Sequence, residues 1–314
     1  MRSILIALAA LILTQTSTTS AQVDPQPAHS VAYQSITAVR VNPLGLVNFT
    51  RASYRFRLFE SDSDILKQNY VGIGATGGIS PAWGRIGILA EVQPLTILRL
   101  YAQFEFIGNF GTFDLFASFP NATSDFSDTA IGERAENDAT EAYTTTGSLL
   151  TLGAQLQMKV GPIAVRNLFR ATRTNYTMRA GDTVYYDQIY DMLMPDDGWM
   201  VVNDLDVFAI LNPGTTQLAA GVRWSYSHSY YNDQHYQGLT AQEREDAPSN
   251  DIHRIGPILA WQIRNTPGAR FNRPTLILLA QWHLKHRWRT GADVSQALPY
   301  IGLAFRFQGD LLGE

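Results

Sequence analysis

The sequence predicts an all-β chain: a single transmembrane antiparallel up-and-down β-barrel of about 12 strands. Three observations predict it. Apolar and polar residues alternate with period two in many segments of about ten residues or more. From the middle of the chain onward, long and short connections alternate. Beyond the N-terminal segment no apolar run reaches the ~18 residues a membrane helix needs.

The chain begins with Arg2, an apolar run from Ile4 to Leu13 and a polar stretch from Thr14 to Ser20, with Thr19, Ser20 and Ala21 as small residues before Gln22. Residues 1–21 therefore read as a secretory signal peptide cleaved near Ala21, too short to be a membrane span. Residues 22–314 are left for the barrel. The chain has no cysteine. That excludes a lipid-modified cysteine at the cleavage site and suits a bacterial envelope better than a secreted eukaryotic domain, which would often carry disulfides.

The first two predicted strands, 34–42 and 46–59, are joined at Asn42-Pro43-Leu44-Gly45. In the second, Ala52, Tyr54, Phe56 and Leu58 alternate with Arg51, Ser53, Arg55 and Arg57. Strands 69–80 and 84–93 meet at Ser80-Pro81-Ala82-Trp83. Strand 96–108 carries Leu98, Leu100, Ala102, Phe104 and Phe106 on one face and Arg99, Tyr101, Gln103 and Glu105 on the other. After the long connection 109–146 come strands 147–159 and 162–176, joined at Val160-Gly161-Pro162. A second long connection, 177–198, leads to 199–211, the turn Asn212-Pro213-Gly214-Thr215 and strand 216–230. A third, 231–251, leads to strands 252–264, 274–287 and 297–307. Many of these exceed the ~5–6 residues usual in globular strands and match the ~9–11 of a tilted membrane crossing. With the long connections placed outside, both termini fall on the periplasmic side and the strand number is even. The turns at 42–45 and 80–83 are then external although short.

Single strands of this kind also suit a soluble sheet, but the polar faces share a character. They carry Arg51, Arg55, Arg57, Arg85, Arg99, Arg166, Arg170, Arg223, Arg254, Lys285 and Arg306 against Glu91, Glu105, Asp204 and Asp206. The apolar faces are free of charge. Aromatics gather near the proposed outer ends (Phe110, Tyr176, Trp199, Tyr230, Trp288) and inner ends (Phe59, Phe307), as two membrane interfaces favour. The apolar faces are thus predicted to meet lipid and the arginines to line the lumen. Net charge is −4, and no basic patch with a nucleic-acid motif occurs.

In this architecture the chain resembles bacterial outer-membrane β-barrel proteins over essentially its whole mature length. Tyr300-Ile301-Gly302-Leu303-Ala304-Phe305-Arg306-Phe307 looks like the C-terminal strand read by the barrel-assembly machinery of that class. It departs from the usual pattern, in which the aromatic is terminal, because Gln308 to Glu314 follow. The resemblance implies an outer-membrane location, lipid and lipopolysaccharide as surroundings and the assembly machinery as a partner.

Rings of arginine favour anions, so the lumen reads as a porin-like passage for small anionic solutes. The candidate lumen residues are Arg51, Arg55, Arg57, Arg99, Glu105, Arg166, Arg223 and Arg287. The connections are acidic: Asp114, Asp125, Asp128, Glu133, Glu136, Asp138 and Glu141 in the first, Asp182, Asp187, Asp191, Asp196 and Asp197 in the second. A solvated outward face is the leading reading; an inward plug and cation binding beside lipopolysaccharide are the others. A non-conducting structural or adhesion barrel acting through these loops is a second functional class. A lipid hydrolase is a third, with His228 on the outer rim, His283 in the lumen and His286 toward lipid. No Gly-x-Ser-x-Gly, His-Glu-x-x-His or calcium-loop spacing is present, so no catalytic residue, metal or cofactor is expected.

Overall fold

The structure, a computed structural model, describes residues 26–112, 116–137, 142–211 and 216–313. The predicted signal peptide, the turn 212–215 and the acidic residues Asp114, Asp138 and Glu141 lie outside the described residues. Twelve strands close into one barrel. They are β1 (His29–Val41), β2 (Gly45–Phe56), β3 (Tyr70–Ile79), β4 (Trp83–Leu95), β5 (Leu98–Phe110), β7 (Thr144–Val160), β8 (Ile163–Tyr176), β11 (Gly198–Leu211), β12 (Gln217–Tyr230), β13 (Ile252–Gln262), β14 (Asn272–Lys285) and β15 (Tyr300–Asp310). Each pairs antiparallel with the next barrel strand in the chain, and β15 closes on β1. Closure removes every free sheet edge, which is what a strand-built membrane span requires.

The outer face carries the bulky apolar residues. Ile73, Ile86, Ile88, Phe106 and Val160 are each more than 60% exposed, while Glu105, Asp206 and Gln281 on the inner face are almost wholly buried. This inverts a soluble protein, and it answers the parity question: Leu100 and Phe104 point out, Arg99 and Glu105 point in. No described helix is long and apolar enough to cross a membrane.

The long connections differ from the leading expectation. Two of them fold together at the barrel mouth instead of standing in solvent. Segment 109–146 supplies β6 (Ser118–Phe119) and α1 (Asp128–Asn137); segment 177–198 supplies β9 (Val184–Asp187) and β10 (Met192–Pro195). The order β10-β9-β6 makes a second, three-stranded sheet. Its Phe116, Tyr185, Met192 and Met194 pack on the wall residues Trp83, Ile107, Leu149, Tyr176, Met200 and Ile252. Val184, Met192, Leu193 and Met194 are at most 1% exposed. Burying such side chains stabilises by about 1.5–3 kcal/mol each, enough to outweigh solvation of the nearby acids. The apolar residues, not the acidic count, decide where these segments go. The third connection holds α2 (Ala241–Glu245), exposed and capped reciprocally by Thr240 and Glu243.

Parity also breaks at one place. Between β13 and β14 the register shifts at His253/Arg254, so that Arg254 faces His283 but His253 faces Lys285. The extra residue turns Lys285 outward, toward Asp251. His286 consequently lies inside, 5% exposed, and not on the lipid side. Tyr176 and Trp288 likewise pack inward, on the plug sheet, leaving Phe110 and Tyr230 exposed at the outer rim.

Candidate functional site: the basic lumen

The barrel encloses a cavity of about 3040 Å³. Its lining runs from Gly161, Pro162 and Gly268 at the end bearing the termini to Leu44, Gly45, Pro81 and Ala82 at the mouth. The two short external turns are thus where the cavity reaches the rim beside the plug.

Two carboxylates organise most of the wall. Glu91 on β4 accepts hydrogen bonds from Arg55 Nε (2.8 Å), Arg99 Nε (2.7 Å) and Ser53 Oγ (2.6 Å). Arg55 and Glu91 stand on strands separated by β3, and the residue between them is Gly72. A Cβ there would lie 3.1 Å from Arg55 Cγ and 3.3 Å from Glu91 Cγ, so the glycine leaves the gap they meet across. Asp206 on β11 lies directly opposite Arg166 on β8 and Arg223 on β12. It accepts from Arg166 Nε (2.9 Å) and Nη2 (2.6 Å) and from Arg223 Nε (2.6 Å) and Nη2 (2.9 Å). Asp204 accepts from Arg170 Nη2 at 3.0 Å and Ser225 Oγ at 2.7 Å, and Glu105 stands 3.5 Å from Arg85 Nε. These forked, cross-strand pairs are the arrangement in which arginine binds carboxylate best.

Three wall arginines differ. Among the described residues Arg51 donates only to Gln34 Oε1 (2.6 Å), and Arg254 and Arg306 form no ion pair. The cavity lining holds Arg40, Arg51, Arg55, Arg85, Arg99, Lys159, Arg166, Arg170, Arg223, Arg254, Arg273 and Arg306, against Asp64, Glu105, Asp187, Asp204 and Asp310. Glu91 and Asp206 are fully buried behind the arginines they hold.

Of the residues picked from the sequence, Arg51, Arg55, Arg99, Glu105, Arg166 and Arg223 line this cavity. Two do not. Arg57 follows the end of β2, where it pairs with Glu60 and donates to the Gln26 carbonyl (3.2 Å). Arg287 lies past the parity break; it donates to the Ala122 and Thr123 carbonyls and stacks over Phe126 and Trp288. Arg40 and Tyr300 line the cavity without having been singled out. The inner face of β1 also carries Ile36 and Ala38, which masks its polarity in the sequence.

One side chain joins several parts of the plug to the wall. Arg289, 2% exposed, donates to Asp128 of α1 (2.8 and 3.0 Å), to both carboxylate oxygens of Asp191 and to Asn42 Oδ1 (2.7 Å). His286 Nε2 contacts the Asp191 carbonyl at 2.9 Å. Burial pushes the Asp191 carboxyl up, but His286 and Arg289 outweigh it and hold that group well below the usual carboxylate range. Asp187, four residues earlier, shows the opposite: burial raises it, and the Tyr190 N–H and the more distant Arg40 and Arg85 do not offset that.

On the outer rim His228 Nδ1 donates to Asp251 Oδ1 at 2.7 Å, and Lys285 Nζ to Asp251 Oδ2 at 2.7 Å. The neighbouring Ser249 hydroxyl bonds the carboxylate (2.9 Å), not the imidazole. A nucleophile held by its base is therefore not formed here.

No protein-family model matches the chain, and no curated protein matches it. Among solved structures it is similar to the translocator domain of autotransporter NalP from Neisseria meningitidis, at 10% identity and TM-score 0.42, covering 91% of this chain and 88% of that one. It is also similar to the TodX monoaromatic hydrocarbon channel (7%, TM-score 0.32, 90% and 89%) and to the outer membrane protein OprD from Pseudomonas aeruginosa (10%, TM-score 0.23, 90% and 93%).

Proposed function

We propose that the protein is a bacterial outer-membrane barrel that passes small anionic solutes through a lumen narrowed by its plug. The observation that carries this reading is the charge of the cavity wall: Glu91, Glu105, Asp204 and Asp206 are already paired with arginines, and among the described residues Arg51, Arg254 and Arg306 are left without an ion pair. A water-filled lumen with unneutralised guanidinium groups concentrates anions and repels cations. The contact of the cavity with the rim at Leu44 and Pro81 supports passage beside the plug. The apolar outer face supports the membrane setting, with lipid and lipopolysaccharide around it and insertion by the barrel-assembly machinery.

The test is conductance of the refolded barrel, without residues 1–21, in a planar bilayer under a salt gradient. Stable steps with a reversal potential of anion-selective sign are expected. A folded barrel without conductance, or with cation preference, overturns the reading and leaves a structural barrel acting through its external loops.

A further inference from the structure

We propose that Arg254, together with Arg40, Tyr300 and His283, forms a binding site for an oxyanion, a carboxylate or a phosphate, where the wall meets the plug. Arg254 is 8% exposed, and its Nε and Nη1 have no hydrogen-bond partner. Its guanidinium stacks over the Tyr300 ring, 4.6 Å from the centroid. Arg40 lies over the same ring at 6.0 Å. Two cations therefore gather at one aromatic ring.

The acids nearby have other partners among the described residues, Asp187 accepting from the Tyr190 N–H at 3.0 Å. Asp204 is held by Arg170 and Ser225, and Asp191 by Arg289 and His286. His283, directly opposite Arg254 in the β13–β14 register, is 1% exposed, and neither of its ring nitrogens has a partner. Buried polar nitrogens are rarely left so. Arg40, Arg254 and Tyr300 all line the cavity, so a solute in the lumen reaches them. A guanidinium offers a planar fork that fits the paired oxygens of a carboxylate or phosphate and that a spherical halide does not match. Arg40 also donates to the Gln188 and Ile189 carbonyls at the tip of the plug. An oxyanion bound here would thus sit against the plug and share one of its tethers.

This site deepens the reading of an anion-conducting lumen and rests on it for access of the solute. The experiment separates the two. The full barrel in detergent is titrated calorimetrically with benzoate, with benzyl alcohol as its uncharged counterpart, and with inorganic phosphate in a separate arm. Saturable binding of benzoate or phosphate is expected, none of benzyl alcohol, and the arm that saturates identifies the ligand as organic acid or phosphate. Arg254→Gln should weaken binding about tenfold or more, the effect of losing a charge-assisted hydrogen bond. Arg254→Lys, which keeps the charge and loses the fork, should fall between, and Arg57→Gln, outside the cavity, should leave binding unchanged. Heat-modifiable mobility confirms folding, and Arg254→Lys carries the test if the glutamine variant does not fold. Wild-type affinity in the folded Arg254 variants, equal binding of benzyl alcohol, or no saturable binding in either arm overturns the site. Arg254-dependent binding in a barrel that does not conduct keeps the site and removes the channel. Anion-selective conductance without saturable binding does the reverse.

Discussion

The wall of the lumen treats its arginines in two ways. In the β2–β5 sector Glu91 holds Arg55 and Arg99; in the β8–β12 sector Asp206 holds Arg166 and Arg223. Each is one buried carboxylate between two guanidiniums. In the β13–β15 sector neither Arg254 nor Arg306 forms an ion pair among the described residues. The difference separates two uses of one residue type. Paired arginines cross-link strands, neighbouring or one apart, and leave one net charge per cluster. The unpaired ones line the cavity with donors not taken up by a carboxylate among the described residues.

The largest effect expected from breaking this contrast is loss of a central carboxylate. Asp206→Ala or Glu91→Ala leaves two guanidiniums facing each other. The acids are fully buried, while Arg55, Arg166 and Arg223 still reach the cavity. Destabilisation of about 3 kcal/mol is expected, the low end for breaking a buried ion pair. Urea unfolding followed by heat-modifiable mobility measures it; Arg254→Ala in the unpaired sector should cost far less or stabilise.

Next is the latch. Arg289→Gln removes the side chain that bonds Asp128, Asp191 and Asn42 together, and opening of the plug should become easier by about 2 kcal/mol. Limited proteolysis within 177–198 should speed up with the barrel intact. An unchanged cleavage rate would show that the apolar plug core suffices by itself.

Smaller again is ion selectivity. Arg306→Glu should shift the permeability ratio toward cations by about fivefold, what ~1 kcal/mol between charges ~4 Å apart in water supplies. Reversal potentials read it directly. The same change at Arg57, which lies outside the cavity, should do nothing.

The smallest effect is on acidification. The Asp191 carboxyl is held below its ordinary value of about 3.9 in the folded chain. The unfolded chain therefore takes up the proton first. The stabilisation is complete above about pH 4 and declines as pH falls further. Plug protection from an acid-active protease should be flat from pH 7 to 5 and weaken below 4, and Arg289→Gln should flatten the profile.

Much of this site was legible in the sequence, because period two assigns faces without any tertiary information. It failed at particular residues for particular reasons. Arg287 and His286 were misassigned because the register shift at His253/Arg254 adds a residue, and parity cannot see a bulge. Arg57 was counted as wall because the strand was taken to run past Phe56. Arg40 was hidden among Ile36 and Ala38. The plug was outweighed by its own acids, although Val184, Tyr185, Met192, Leu193 and Met194 were the better guide to its place.

The sequence by itself determined the barrel: strand number, up-and-down order, an apolar outside and a basic inside all follow from alternation, and alternation is a local property. Tertiary structure decided which arginines are neutralised and which are free, because that depends on register between strands far apart in the chain, as when Gly72 lets Arg55 meet Glu91. It also decided that two acidic connections become a plug, since the apolar surface that holds them there exists only once the barrel has closed.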